Sequence, residues 1–330
     1  MRRGWILVTL GLVGCPEPEP DPPPPATPTW QLVQVDLPGA LLRVWGTGPK
    51  DVYAVGADAD GQGPMVLHYD GERWSRLSTG TTGGLWWVDQ VGPDDLRMVG
   101  EGGQVLRYRP SSGAFEPRSS GVNVTLFGAW GASSNDVWYV GGRPGQPGVA
   151  LRDDGTTIRA AGTSTTVPTL FKVHGTAADR LTFVGQQGTI LDWNGSRFED
   201  RSLNSPQPLL TVHGVAADAL YAVGGFGTGE ILRYDGTAWT SETPPELPGM
   251  NGVYATSRDE AYAAGFNGRI FRRQAGVWAE LPEALPTYLD LHSVWVDSAG
   301  GIWAAGGQLS ADPPTDGVLI YYGPPIAHGL

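Results

Sequence analysis

Five histidines, a recurring aspartate, a single cysteine and a surplus of arginine are the residues of this chain best able to do chemistry. His174 and His213 occupy equivalent places in neighbouring segments, where Trp45, Trp130, Tyr254 and Trp295 stand in others. Two imidazoles need a third ligand to hold a metal ion, and none is in reach along the sequence. The pair therefore reads as a structural wedge, and no metal is expected. Asp58-Ala59-Asp60-Gly61 opens as a calcium loop does, with alternating carboxylates and a turn glycine, but it lacks the third acidic position and the distal Glu. Asp58 and Asp60 are kept as candidate ligand-binding residues on a solvated loop. Gly225-Phe226-Gly227-Thr228-Gly229 has the glycines of a phosphate cradle, yet Ile231 to Tyr234 reads as a strand, so no helix N-terminus follows it. The aspartates at 51, 95, 136, 179, 218 and 259 each follow a turn, and they are expected to accept that turn's amide hydrogens rather than form a carboxylate ring. Arginine outnumbers lysine 20 to 2, but Arg107, Arg152, Arg233 and Arg272 recur at one place, which suits a structural or solvated face. With neither a nucleophile elbow nor an H-E-x-x-H motif, no catalytic residue is assigned and no enzymatic activity or cofactor is expected.

These residues are set in a repeat. A strand of the form D-V-Y-A-V-G occurs seven times, at Asp51 to Gly56, Asp95 to Gly100, Asp136 to Gly141, Asp179 to Gly185, Asp218 to Gly224, Asp259 to Gly265 and Gly300 to Gly306. The final glycines are 44, 41, 44, 39, 41 and 41 residues apart. A short apolar strand such as Leu42-Arg43-Val44-Trp45-Gly46 precedes each anchor. A third strand such as Ile231-Leu232-Arg233-Tyr234 follows it, and a fourth opens with Trp74, Phe115, Phe198, Trp239 or Trp278. Asp70-Gly71, Asp154-Gly155, Asn194-Gly195 and Asp235-Gly236 supply the positive φ of a tight hairpin between strands three and four. A four-stranded sheet of about forty residues cannot bury both faces alone, so units of this period stack radially into a β-propeller.

The seventh unit ends after strand three, at Val318 to Tyr322, without its aromatic fourth strand. Trp30-Gln31-Leu32-Val33-Gln34-Val35 stands before the first unit as Trp239 or Trp278 stands before the next. This segment is predicted to pair with Val318 to Tyr322 and close the ring, removing an exposed edge. The fold expected is all-β: a seven-bladed propeller over 30–330, built from four-stranded antiparallel blades and closed by an N-terminal strand.

The first 29 residues have a different composition. Arg2 and Arg3 precede an apolar run from Trp5 to Val13, shorter than the ~20 residues a membrane-spanning helix needs, so 1–14 reads as a signal peptide. Leu12-Val13-Gly14-Cys15 resembles the lipobox of bacterial lipoproteins, which implies that Cys15, the sole cysteine, is cleaved before and lipidated. Acyl chains contribute about 0.8 kcal/mol per buried CH₂, so the anchor would be durable. Pro16 to Pro28, within a linker over 15–29, reads as a polyproline II spacer; at about 3.1 Å per residue it would reach roughly 40 Å. Pro16 after the lipidated Cys implies, by similarity to sorting rules, the outer membrane of a Gram-negative envelope. The formal charge of −12, or −14 once Arg2 and Arg3 are removed, disfavours nucleic acid as a partner.

The repeat W-G-T-x-x-x-D-V-Y-A-V-G…R-Y-D-G-x-x-W resembles that of myxobacterial-type propeller lipoproteins and, more distantly, kelch and BNR (Asp-box) propellers. Most units lack the long third strand of kelch repeats, and the D-G-x-x-W turns lack the Ser and full spacing of an Asp box. Loops between strands two and three are long in alternate units (Ala57 to Met65, Gly142 to Gly148, Gly225 to Glu230, Gly307 to Gly317) and four residues long in the others. Variable loops on a rigid scaffold are where binding is normally placed. Phe226, Phe266, Trp87 and Tyr288, in or near such segments, are candidate contacts for a sugar or a protein, with inter-blade packing as the alternative, most of all for Trp87. The expected function is a lipid-anchored, non-enzymatic module that binds an envelope or extracellular protein. A carbohydrate-binding propeller is the alternative, and a glycan-cleaving hydrolase related to BNR propellers the third reading.

Overall fold

The computed structural model describes residues 27–163, 167–203 and 205–330, together with Met1 and Gly4. Cys15, the apolar run from Trp5 to Val13 and residues 16–26 of the linker lie outside them. The described residues form seven four-stranded antiparallel sheets. Blade one comprises Leu41–Gly48, Asp51–Gly56, Val66–Tyr69 and Trp74–Arg76, and the next five repeat this order along the chain. The first strands touch one another in a closed circuit, from blade one through blade seven and back to blade one. Among the described residues no helix is long and apolar enough to cross a membrane.

Blade seven closes the ring as the missing fourth strand required. Its sheet runs Asp290–Val296, Ile302–Gln308, Thr315–Gly323 and then Thr29–Gly39, with Trp30 opposite Tyr322 and Leu32 opposite Ile320. The closing strand is longer than Trp30 to Val35. Past register shifts at Leu32/Gln34 and Gln34/Leu37 it continues to pair Leu37 with Gly317 and Gly39 with Thr315, which buries Val33 and Leu37. The loop expected over Gly307 to Gly317 is correspondingly shorter, because Gln308 pairs with Thr315.

The recurring glycine that ends each second strand has a steric cause. A Cβ on Gly56, Gly100, Gly141, Gly185, Gly224, Gly265 or Gly306 would lie 1.9–2.3 Å from a carbonyl oxygen just before the facing first strand, at Ala40, Gly84, Thr125, Thr169, Pro208, Gly249 or Asp290. The ladder shifts register immediately beside this contact. Leu41 faces Gly56 and Arg43 faces Val55, so Leu42 is an extra residue, and the same shift occurs in all seven blades. Such a bulge twists the strand and re-aims one side chain.

Two sequence expectations need correcting. In the hairpin turns only the glycine takes positive φ (Gly71 at 93°, Gly155 at 86°, Gly195 at 90°, Gly236 at 95°), and the residue before it holds the turn with its side chain. Asp70 Oδ1, for example, accepts the amides of Glu72 and Arg73, both at 2.9 Å. The aspartates that open the second strands do not serve their turns in this way. Asp51 bonds His68 and Thr47, Asp95 pairs with Arg97 and Arg107, Asp136 with Arg152, and Asp218 with Arg258. The arginines at the common place in strand three are thus partly the counter-ions of these carboxylates.

Candidate binding site at the channel mouth

The seven bulge residues are Leu42, Trp86, Phe127, Phe171, Leu210, Asn251 and His292, one from each blade. All seven line one cavity of ≈ 560 Å³ at the mouth of the channel on the side of the strand-two-to-three loops. Trp86 and Phe127 meet edge to face at 5.0 Å, Phe127 and Phe171 at 5.4 Å, and Trp86 and His292 at 5.7 Å. Phe226 and Phe266 extend the wall upward, with nearly parallel rings 6.5 Å apart, and Pro144, Gln186, Asp290, Leu309, Ser310 and Pro314 also line it. Phe226 is 62% exposed, raised by a loop in which Gly225 and Gly227 take φ of 88° and 85°. The glycine-rich segment therefore presents an aromatic ring rather than cradling a phosphate.

In five of the blades the residue after the bulge, Arg43, Trp87, Lys172, Thr211 or Ser293, is buried in a layer beneath this bowl, and in the other two it is Gly128 or Gly252. Arg43 lies over one face of Trp87, 3.9 Å from the ring centroid, and the Lys172 ammonium lies 4.5 Å from the same centroid. Lys172 also donates to the Phe127 carbonyl and is itself counted among the residues lining the bowl. Burial, reinforced by Arg43, pushes the Lys172 ammonium well below its ordinary pKa. Arg43 is lowered to about 10 by burial, against the attraction of Asp89. Asp89 faces the channel one layer further in, where burial pushes its carboxyl up to about 7 against the pull of Arg43.

The histidines pin blades together. His174 Nε2 donates to the Gly214 carbonyl at 2.8 Å, His213 Nδ1 accepts the Ala255 amide at 3.0 Å, and His292 Nδ1 donates to the Leu42 carbonyl at 2.6 Å. The His174 and His213 rings meet at 4.5 Å with planes tilted by 42°, and burial lowers both, His174 to about 4, so they are neutral links between neighbouring blades. Thr211 and Asn251 do the same work through the Asn251 and Leu291 carbonyls. Among the described residues no group of three or more His, Cys, Asp or Glu is placed to hold a metal ion.

Of the residues singled out in the sequence, the structure brings only Phe226 and Phe266 to the bowl. Trp87 is 9% exposed and sits beneath the floor, covered by the Arg43 and Lys172 side chains. Tyr288 is 90% exposed but lies against the Phe266–Gly268 turn in a separate cleft of ≈ 190 Å³. Asp58 accepts the Gly63 and Gly83 amides, while Asp60 accepts the Gln62 amide and both terminal nitrogens of Arg76, which hold it down at about 2. Both carboxylates are thereby engaged in folding the blade-one loop. Another cavity of ≈ 560 Å³, between the outer strands of blades three and four, is lined by Trp138, Arg152, Arg159, Trp193, Arg197 and Phe198. Its arginines are already paired with Asp136, Asp154 and Glu199.

Fold and bowl together define the chain as a seven-bladed propeller with an apolar axial cavity. No family model matches it, and no curated protein matches it. Solved structures do. YCF48 bound to D1 peptide superimposes with a TM-score of 0.66 at 13% identity, over 89% of this chain and 96% of that one. The WD40 propeller of Doa1 gives 0.66 at 13% identity, over 88% and 96%. The extracellular domain of a putative one-component system, BT4673 of B. thetaiotaomicron, gives 0.69 at 10% identity, over 89% of this chain and 40% of that one. At these identities the likeness is one of fold.

Proposed function

We propose that the protein is a non-enzymatic binding module whose bowl seats an apolar segment of an envelope or extracellular protein. The observation that carries this reading is the bulge repeated in every blade, which turns one residue per blade to the channel mouth and makes five of the seven apolar or aromatic. A cavity of this volume falls in the range of about 300–1,000 Å³ that encloses most of a small ligand. Aromatic walls of this kind are where interface energy concentrates. The YCF48 structure in complex with a peptide lends the reading support by analogy of fold.

The orientation suits a tethered binder. Thr29 pairs with Gly323, at the opposite end of blade seven from the Gln308–Thr315 pair beside the bowl. A linker running upstream from Thr29 to a lipidated Cys15 would leave from the far face, so the bowl would look away from the lipid surface. Polysaccharide is the second reading, supported by the parallel rings of Phe226 and Phe266 with Gln186 on the same rim.

The test is selection of a displayed random peptide library on the propeller and on Phe171→Glu, with a glycan array in parallel. The account expects apolar peptides that the variant no longer retains. Peptides held equally by both proteins, or glycans alone, would overturn it.

A further inference from the structure

We infer that the bowl's occupant is a chain end, an apolar C-terminal residue whose α-carboxylate is received by Lys172. The inference rests on the bowl being the binding site and adds the chemistry of what enters it.

Lys172 is 3% exposed, yet it lines an otherwise largely apolar cavity. Its ammonium has three donors, and the Phe127 carbonyl accepts one. Among the described residues no carboxylate pairs with it: the charged group that acts on it is Arg43, a second cation. Among the described residues the layer beneath the bowl thus holds two buried basic side chains, Arg43 and Lys172, and one carboxylate, Asp89, which acts on Arg43, while the carboxylate that lines the bowl itself, Asp290, accepts the Asn267 amide at 2.9 Å. A buried charge is ordinarily paired, because leaving it alone carries a heavy desolvation cost. Here the amine without a carboxylate partner, whose proton burial loosens, borders the bowl, and a bound anion would restore its charge. Its neighbour His292 is lowered to about 3, first by burial and then by Lys172, and so adds no third charge.

The geometry favours an end over an internal acidic side chain. The wall is closed around the axis by seven blades, and Lys172 lies at the floor with Arg43 and Trp87 packed beneath it. A chain can enter along the axis, but an internal segment would also have to turn and leave through the same mouth. A terminal Leu, Ile, Val, Phe or Met would set its side chain against Phe127, Phe171 and Leu210 and its carboxylate toward the ammonium. An anion there would supply the missing counter-charge in a low-dielectric site, where such a bond is strong.

The test uses the described propeller with an array of synthetic peptides randomised over their last four residues, each made as the free acid and as the C-terminal amide, and decanoate as a non-peptide acid. We expect retention of acids ending in an apolar residue, with about tenfold or greater preference over the matched amides. Lys172→Met should abolish that preference while keeping apolar amide binding, and Lys172→Arg should retain it. Should Lys172→Met fail to fold, the acid-to-amide ratio on the unaltered protein decides by itself. Equal binding of acids and amides that is lost in Phe171→Glu would overturn the chain-end inference and leave the bowl standing. Binding indifferent to Phe171→Glu, or no binding at all, would overturn both. Decanoate outcompeting every peptide acid would replace the chain end with a fatty acid.

Discussion

Arg97 offers the sharpest test of how the blades are joined. It is fully buried between blades two and three, with Nε 2.7 Å from Asp95, Nη1 2.8 Å from Asp153 and 2.9 Å from the Tyr139 hydroxyl, and Nη2 3.2 Å from the Ser134 carbonyl. Arg97→Met keeps much of the volume but removes the charge that faces two carboxylates. Breaking a buried pair by deleting one partner typically costs about 3–5 kcal/mol. Asp153 would retain Arg118 at 2.7 Å and Asp95 would retain Arg107 at 2.6 Å, so the lower end, about 3 kcal/mol, is expected. For a domain of this size that is a fall in Tm of roughly 5 °C. Tyr139→Phe, which removes one hydroxyl from the same network, should cost about 1 kcal/mol.

The pH dependence of the Arg97 effect has a definite sign. Burial raises the Asp95 carboxyl, but its bonds to Arg97 and Ser134 outweigh this and leave it below the ordinary value. The stability it contributes is present above the unfolded pKa of about 3.9 and is lost as pH falls through the folded value. The gap between wild type and Arg97→Met in urea or thermal melts should therefore narrow below about pH 4. A gap under about 0.5 kcal/mol at neutral pH would refute the reasoning, since it would mean that the two carboxylates do not need this cation.

Deleting 30–35 should sharply lower the melting temperature, since it removes the buried Val33 and exposes the edge of Thr315–Gly323; an unchanged melt would refute closure by this strand. Asp89, raised to about 7 by burial, contributes stability that is lost as pH rises from about 4 to 7, opposite in sign to the buried histidines, so the stability of the wild type relative to Asp89→Asn should fall across that window; a difference that does not change with pH would contradict it. Gly185→Ala would set a Cβ 2.3 Å from the Thr169 carbonyl oxygen beside the Phe171 bulge. Overpacking of this kind costs about 1–3 kcal/mol, and a melt unchanged by the substitution would contradict the steric account of the recurring glycine.

Much of the architecture was legible because the repeat reports on itself. The D-V-Y-A-V-G anchors, the D-G turns and the displaced Trp30 to Val35 strand each carry a local physical signal, and together they yield blade count and closure. The bowl was not read, although its mark is present. Leu41-Leu42, Leu85-Trp86, Leu126-Phe127, Leu170-Phe171 and Leu209-Leu210 are adjacent apolar pairs that break the alternation of a strand, as an inserted residue does. Alternation alone assigns neighbours to opposite faces and so scatters these residues. Trp87, one position past the bulge, lies under the floor, in keeping with the packing alternative that its sequence position also allowed. Asp58 and Asp60 look available in the sequence because their partners, the Gly83 amide and Arg76 respectively, lie 25 and 16 residues away. The amine of Lys172 draws meaning only from what the fold places beside it, Arg43 and Trp87 rather than a carboxylate.

The central claim, that the bowl is where the partner binds, is tested most directly by site-specific photo-cross-linking in intact host envelopes. A benzophenone amino acid would be placed at Phe226 and, in a separate protein, at Tyr288, which is also exposed but outside the bowl. The account predicts one cross-linked protein from position 226, absent from position 288 and lost when Phe171→Glu is added. The same adducts from both positions, or adducts at 226 that survive Phe171→Glu, would contradict it.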